Sequence, residues 1–160
     1  MFVREVTPKV IENSRKEKTI ELTLKTYEGT FKCSAPSGKS TGKHEVPAYN
    51  EKGIRRSFLM LKKFCTLIKH KNFFIKVIDD LMQLDALIHI FEKKYGNFGG
   101  NVTYVLHGVF LKAAAKDNQK ELWQLINDDV NKGKKPKIPM PIGNIIGGGL
   151  HTWRIRPSRG

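Results

Sequence analysis

An α+β domain is predicted, a three-stranded antiparallel meander packed on a helical bundle, and three observations predict it. The first thirty-five residues alternate apolar and polar side chains, the period of half-buried strands. From Gly53 to Val130 apolar residues instead recur at three- and four-residue steps, the period of amphipathic helices. Between the two regimes lies a stretch rich in glycine and hydroxyls, with little to bury.

In the strand region Val3, Val6, Val10 and Ile11 are β-branched, and Thr19-Ile20-Glu21-Leu22-Thr23-Leu24-Lys25 alternates cleanly. Tyr27-Glu28-Gly29-Thr30 reads as a turn, and Phe31-Lys32-Cys33-Ser34-Ala35 alternates again. The first helix follows Gly53, with Phe58, Leu61, Phe64, Cys65 and Ile68 as its apolar stripe and Arg55, Arg56, Lys62, Lys63 and Lys69 elsewhere around it.

Residues Phe73 to Leu87 mix Ile75, Val77, Ile78, Leu81, Met82 and Leu84 with Asp79, Asp80 and Asp85, which are expected at solvated helix or turn positions. A short helix is expected from Leu87 to Tyr95, stopped by Gly96. From Asn101, the spacing of Val102, Val105, Leu106, Val109, Phe110 and Ala113 marks a central buried helix. Its Ala113-Ala114-Ala115 run favours helix and close packing. Glu121 to Val130 forms a further helix whose Leu122, Trp123, Leu125 and Ile126 are assigned to the core. His89 and His107 read as structural histidines.

Composition breaks at Asn131, and residues 132–137, rich in Lys, Gly and Pro, read as a linker after a domain of residues 1–131. Residues 138–160 begin as a short apolar strand, run into a glycine cluster capped by His151, and end in an arginine-containing tail without acids.

The 160 residues carry 29 Lys and Arg against 15 Asp and Glu, a formal charge of +14. That balance suits an acidic partner: nucleic acid, an anionic membrane surface or a phosphorylated small molecule. It equally suits a solvated basic surface, and charge alone does not choose. Cys33 and Cys65 lack a second ligand at metal spacing and read as buried thiols in a reducing compartment. No apolar run approaches a membrane span and no signal pattern opens the chain, so a soluble cytoplasmic protein with no membrane partner is expected.

The chemically informative stretch is Pro36-Ser37-Gly38-Lys39-Ser40-Thr41-Gly42-Lys43-His44-Glu45. Gly38-Lys39-Ser40 imitates the end of the nucleotide-binding pattern G-x-x-x-x-G-K-[ST], but that pattern needs a glycine where Cys33 stands and a helix directly after Ser40. A functional loop of another kind is the better reading.

Four stretches together resemble the N-terminal part of the enolases (phosphopyruvate hydratases). Pro36-Ser37-Gly38-Lys39-Ser40-Thr41-Gly42 with His44-Glu45 looks like that family's P-S-G-x-S-T-G mobile loop and the H-E that can follow it. Ser14-Arg15 with Thr19-Ile20-Glu21 is similar to D-S-R-G-N-P-T-V-E, and Phe98-Gly99-Gly100-Asn101 with Lys112-Ala113-Ala114-Ala115 resembles F-G-A-N and K-A-A-A. Pro139-Met140-Pro141, Asn144-Ile145-Ile146 and Gly148-Gly149-Leu150-His151 resemble the stretch that opens the family's second domain. Departures are Asn13 for Asp, Lys16-Glu17-Lys18 for Gly-Asn-Pro and Gly147 for Asn, and the sequence ends before the family's Q-E-F.

The resemblance implies a cap domain over residues 1–131, a linker at 132–137 and the incomplete opening of an α/β barrel at 138–160. It further implies Mg²⁺-dependent dehydration of 2-phosphoglycerate to phosphoenolpyruvate in glycolysis and gluconeogenesis. Ser40 would ligate a second magnesium, and Ser37, Gly38, Thr41, Gly42, His44 and Glu45 would form the lid. His151 would reach the substrate's phosphate side, although by itself it fits an exposed tail histidine equally. Arg15 and Glu21 fall at the family's homodimer interface. The barrel's primary metal ligands, lysine base and glutamate acid are not among these residues. The chain alone is therefore expected to be inactive, as a truncated product or as one half of a split enzyme with a separate barrel chain. The alternative is a non-catalytic basic module that binds nucleic acid with the same fold.

Overall fold

The computed structural model describes residues 1–38 and 42–143. Strands β1 (Glu5–Glu12), β2 (Lys18–Lys25) and β3 (Thr30–Ser34) form one antiparallel sheet in the order β1-β2-β3. The inward positions of β2 are Ile20, Leu22 and Leu24, all fully buried, so the alternation read from the sequence sets the register with both neighbours. Pro8 is tolerated in β1 because that strand lies at the sheet edge, where a missing N–H need not break a ladder.

The β1–β2 turn is organised by Asn13, whose Oδ1 accepts hydrogen bonds from the N–H groups of Arg15 (2.8 Å) and Glu17 (3.0 Å). Lys16 sits there in the left-handed region at φ 60°, a conformation that favours glycine.

Four helices complete the α+β fold: α1 (Ile54–Ile68), α2 (Met82–Tyr95), α3 (Gly100–Asp117) and α4 (Leu122–Val130). Helix α3 lies against β2 and β3, while α1 covers β1. The predicted face of α3 is confirmed in full: Val102, Val105, Leu106, Val109, Phe110 and Ala113 are completely buried. Phe98, just before α3, ties three helices together. Its ring stacks on Phe91 of α2 at 5.0 Å and meets Phe64 of α1 edge-on at 5.4 Å, a geometry that adds to simple burial. Cys33 and Cys65 are buried free thiols, and burial pushes Cys65 up to about 12, so it stays protonated and inert.

Three expectations change. Helix α2 begins at Met82, five residues before Leu87, after a 3₁₀ turn at Ile78–Leu81. The Asp80 carboxylate accepts the N–H groups of Lys76 (2.8 Å) and Val77 (3.1 Å), fixing the chain entry that a purely apolar period cannot reveal. In α4, Leu125 is buried and Leu122 packs half-buried against the core, but Trp123 is 55% exposed and Ile126 38%, because α4 packs chiefly along α3 and the 3₁₀ turn. Residues 138–143 have no regular structure, and Ile138, Met140 and Ile142 are exposed, with no strand beside them among the described residues to complete a ladder. Residues 144–160, the rest of the expected barrel opening, lie outside the described residues. No helix among the described residues is long and apolar enough to cross a membrane.

The α3–β3 packing depends on Gly108, where an added Cβ would lie 2.5 Å from Cys33 Sγ. Alanine in a helix gains up to about 1 kcal/mol over glycine, while forcing a methyl into a filled contact costs about 1–3 kcal/mol. Gly108→Ala is therefore expected to lower stability in urea unfolding, and Cys33→Ala in the same chain to recover most of the loss. A Gly108→Ala chain as stable as the parent would contradict this packing.

Candidate functional site

The Pro36–Glu45 loop leaves the sheet at the end of β3 and returns towards the start of α3, and each of its two stems is held by a different part of the fold. On the outgoing stem, Thr19 of β2 donates its buried hydroxyl to Ala35 O (2.8 Å) and Ala35 N donates to Ile20 O (3.0 Å), so β2 carries its pairing past the last residue of β3. The β1–β2 turn then reaches across. Asn13 Nδ2 donates to Ser37 Oγ (3.0 Å), and Arg15 Nη2 donates to Ser37 O (2.7 Å) and Gly38 O (2.9 Å). Glu17 steadies this clasp from 3.4 Å beside Arg15 Nε, its carboxyl held below the usual range by the Asn13 amide that donates to it at 2.9 Å.

The returning stem is fastened mostly through main-chain N–H donors. Gly42 N donates to Glu45 Oε2 (2.9 Å) and Glu45 N to Gly42 O (3.1 Å), closing a turn that places His44 in solvent. Gly100 N then donates to Pro47 O (2.9 Å) and Asn101 N to Ala48 O (3.0 Å), so two of the first N–H groups of α3, which have no partner inside the helix, are satisfied by the stem. This approach requires glycine at position 99. Its φ is 91°, and any Cβ there would overlap the main chain of Tyr49. The Tyr49 hydroxyl donates to Thr19 Oγ1 (3.2 Å), and Asn50 N donates to the buried hydroxyl of Ser57, which itself donates to Phe98 O (2.8 Å). Between the stems is a cavity of about 460 Å³ bordered by Ser37, Gly38, Glu45, Tyr49 and Asn101.

The structure thus brings Ser37, Gly38, Gly42, His44 and Glu45 into one loop frame. Ser40, Thr41 and His151 lie outside the described residues. Arg15 and Glu21 are not joined: Arg15 clasps the loop, and Glu21 sits half-buried in β2 between Lys9 and Ser34 in register. The anchoring roles of Asn13, Tyr49, Asn50 and Ser57 escape sequence reading. Asn13 alone left a signal, as an asparagine in a turn. His107 Nε2 lies 2.6 Å from Asp85 Oδ1, tying α3 to α2 as a structural histidine should, and His89 is exposed.

Hydroxyl and carbonyl oxygens of a Ser-Gly loop are the donors a hard cation such as Mg²⁺ prefers. In the described outgoing stem those of Ser37 and Gly38 are already engaged by Asn13 and Arg15, and a guanidinium on the carbonyls repels a cation. No group of three or more His, Cys, Asp or Glu among the described residues is placed to hold a metal. A serine or threonine hydroxyl is an oxygen donor of the kind magnesium accepts, and the candidates Ser40 and Thr41 lie outside the described residues.

Arg15 is exposed, so its two bonds are worth on the order of 1 kcal/mol after screening. Arg15→Ala is expected to speed trypsin cleavage after Lys43 about fivefold under native conditions, the factor that this free energy gives when cleavage follows the open population. An unchanged rate would show that the clasp does not restrain the loop.

No family model matches the chain. Among curated relatives, the enolase of Methanothermobacter thermautotrophicus is 26% identical over 159 residues, 98% of this chain and 36% of its own length. That of Thermoplasma acidophilum is 30% identical over 152 residues, 94% of this chain and 36% of its own length. That of Pyrococcus furiosus is 31% identical over 157 residues, 92% of this chain and 34% of its own length. The chain therefore spans about a third of the length of these relatives. With an α+β fold of the expected topology and matches along nearly all of its length, the chain is related to the enolases and corresponds to the N-terminal part of their sequences.

Proposed function

We propose that this chain is the lid-bearing part of an enolase-like dehydratase that converts 2-phosphoglycerate to phosphoenolpyruvate once joined to a barrel domain. The observation that carries the reading is the loop with the P-S-G-x-S-T-G pattern, whose two described stems are each fastened to the core. Residues 1–131 are the cap, 132–137 the linker, and 138–160 the opening of the barrel, whether the remainder of the barrel lies on the same polypeptide or on a partner.

The reaction removes a weakly acidic proton beside a carboxylate and then expels a hydroxyl. Bound magnesium supplies the positive charge that stabilises the doubly charged enolate. The work of this chain is positional. Gly38 and Gly42 bracket the segment that swings, so the loop closes over substrate and excludes water. Ser40 offers hydroxyl and carbonyl oxygens to the second magnesium, Thr41 travels with it, and His151 approaches the substrate's phosphate. Asn13 and Arg15 keep the outgoing stem fixed, which confines the movement to residues beyond Gly38. In a homodimer Glu21 keeps an interface place, while the Arg15 guanidinium is committed to the loop carbonyls.

The test mixes the purified chain with the remaining part of the Thermoplasma acidophilum enolase and follows phosphoenolpyruvate formation. Neither part alone is expected to turn over; the mixture is expected to do so with Mg²⁺, and Ser40→Ala to lower kcat by about 10²-fold, the usual cost of one charge-stabilising contact. A stable complex without turnover, or a Ser40→Ala chain as active as the parent, would refute the proposal.

A further inference from the structure

We propose that the basic, aromatic-lined groove between β1 and the C-terminal half of α1 binds single-stranded nucleic acid. It stands apart from the Pro36–Glu45 loop and does not rest on the lid reading. Two contiguous cavities of about 490 and 460 Å³, sharing Glu5 and Lys69, make up the groove.

One end is an aromatic platform. The rings of Tyr27 and Phe2 stack at 5.7 Å with 26° between their planes, and His70 continues the line 6.1 Å from Phe2 at 33°. The Arg4 guanidinium lies 5.2 Å from the Tyr27 centroid, and Tyr27 is 72% exposed. A ring this exposed with an arginine over it offers a nucleobase both the planar guanidinium and the aromatic edge of the platform to stack on. The platform is held by the main chain: Val3 N donates to Lys71 O (3.0 Å), His70 N donates to Val3 O (2.8 Å), and Phe2 bridges to Asn72. Little ordering is therefore left for a ligand to impose.

The other end is electrostatic. The described lining of the two cavities includes the cations Arg4, Lys25, Lys62 and Lys69 against the single carboxylate Glu5, which Lys25 already pairs at 2.9 Å. Helix α1 has no acidic residue, and its exposed Arg55, Arg56 and Lys63 extend the positive field along the helix. A free phosphate would use the lysines and leave the rings idle, and an isolated nucleotide would fill one cavity and leave Lys62 beyond reach. A strand threads both, with a base on the platform and phosphates along Lys69 and Lys62.

The experiment measures fluorescence anisotropy of a labelled uridine oligoribonucleotide of about ten residues, within the range one such site accommodates. The same measurement is repeated with a thymidine deoxy strand, a duplex of equal length, and UMP as competitor. Tyr27→Ala is expected to weaken binding about tenfold and Tyr27→Phe to preserve it. Lys62→Ala with Lys69→Ala is expected to reduce the salt slope by roughly 0.7 per lysine. Lys134→Ala with Lys135→Ala removes the same charge elsewhere and is expected to change neither affinity nor slope. Binding of either single strand supports the groove. It is overturned if the remote pair weakens binding as much as the groove pair, if Tyr27→Ala has no effect with its circular dichroism unchanged, or if the duplex or UMP binds as tightly as the strand.

Discussion

The structure depends on how closely α3 can approach its surroundings. A helix packed against the sheet and preceded by the loop stem has little room for side chains on those sides, and the sequence supplies Gly108 and Gly99 at the two close approaches and three buried alanines at 113–115. Close packing at this density leaves no slack to absorb a methyl group. The sheet, the ring cluster around Phe98 and the returning stem of the loop are all positioned by that single helix.

The loop inherits its geometry from this arrangement. Its outgoing stem belongs to the sheet through Thr19 and to the hairpin turn through Asn13 and Arg15; its returning stem belongs to α3. Since sheet and helix are themselves locked together by Cys33 against Gly108, the two stems cannot drift apart independently. Whatever the loop does, it does between fixed posts, the requirement for a device that must meet a substrate in a repeatable place.

Most of the architecture was legible in the sequence because burial imposes a period. The two-residue alternation of Thr19 to Lys25 and the three-to-four-residue spacing of Val102 to Ala113 each reflect one face against the core, and both elements stand where the periods put them. Failures fall where another force decides. Helix α2 starts early, directly behind a 3₁₀ turn whose entry the Asp80 carboxylate holds, and Trp123 is left outside because α4 packs chiefly on α3 and that turn. The candidate site was legible as a motif but not as a mechanism of attachment. Contacts such as Gly100 N to Pro47 O involve no side chain, and Arg15, matched by family resemblance to an interface, gives its guanidinium to carbonyls 22 and 23 residues away.

That attachment bears on the chain's history. Four of the bonds that tether the loop end on peptide oxygens, those of Ser37, Gly38, Pro47 and Ala48, which every amino acid possesses. An anchorage of this kind is blind to spelling. Residues 46–48 can drift in composition without loosening these moorings, provided that Gly99 leaves space for the Tyr49 backbone. Selection on the tip and selection on the scaffold are thereby uncoupled, and the loop can be retuned while the fold beneath it stays the same.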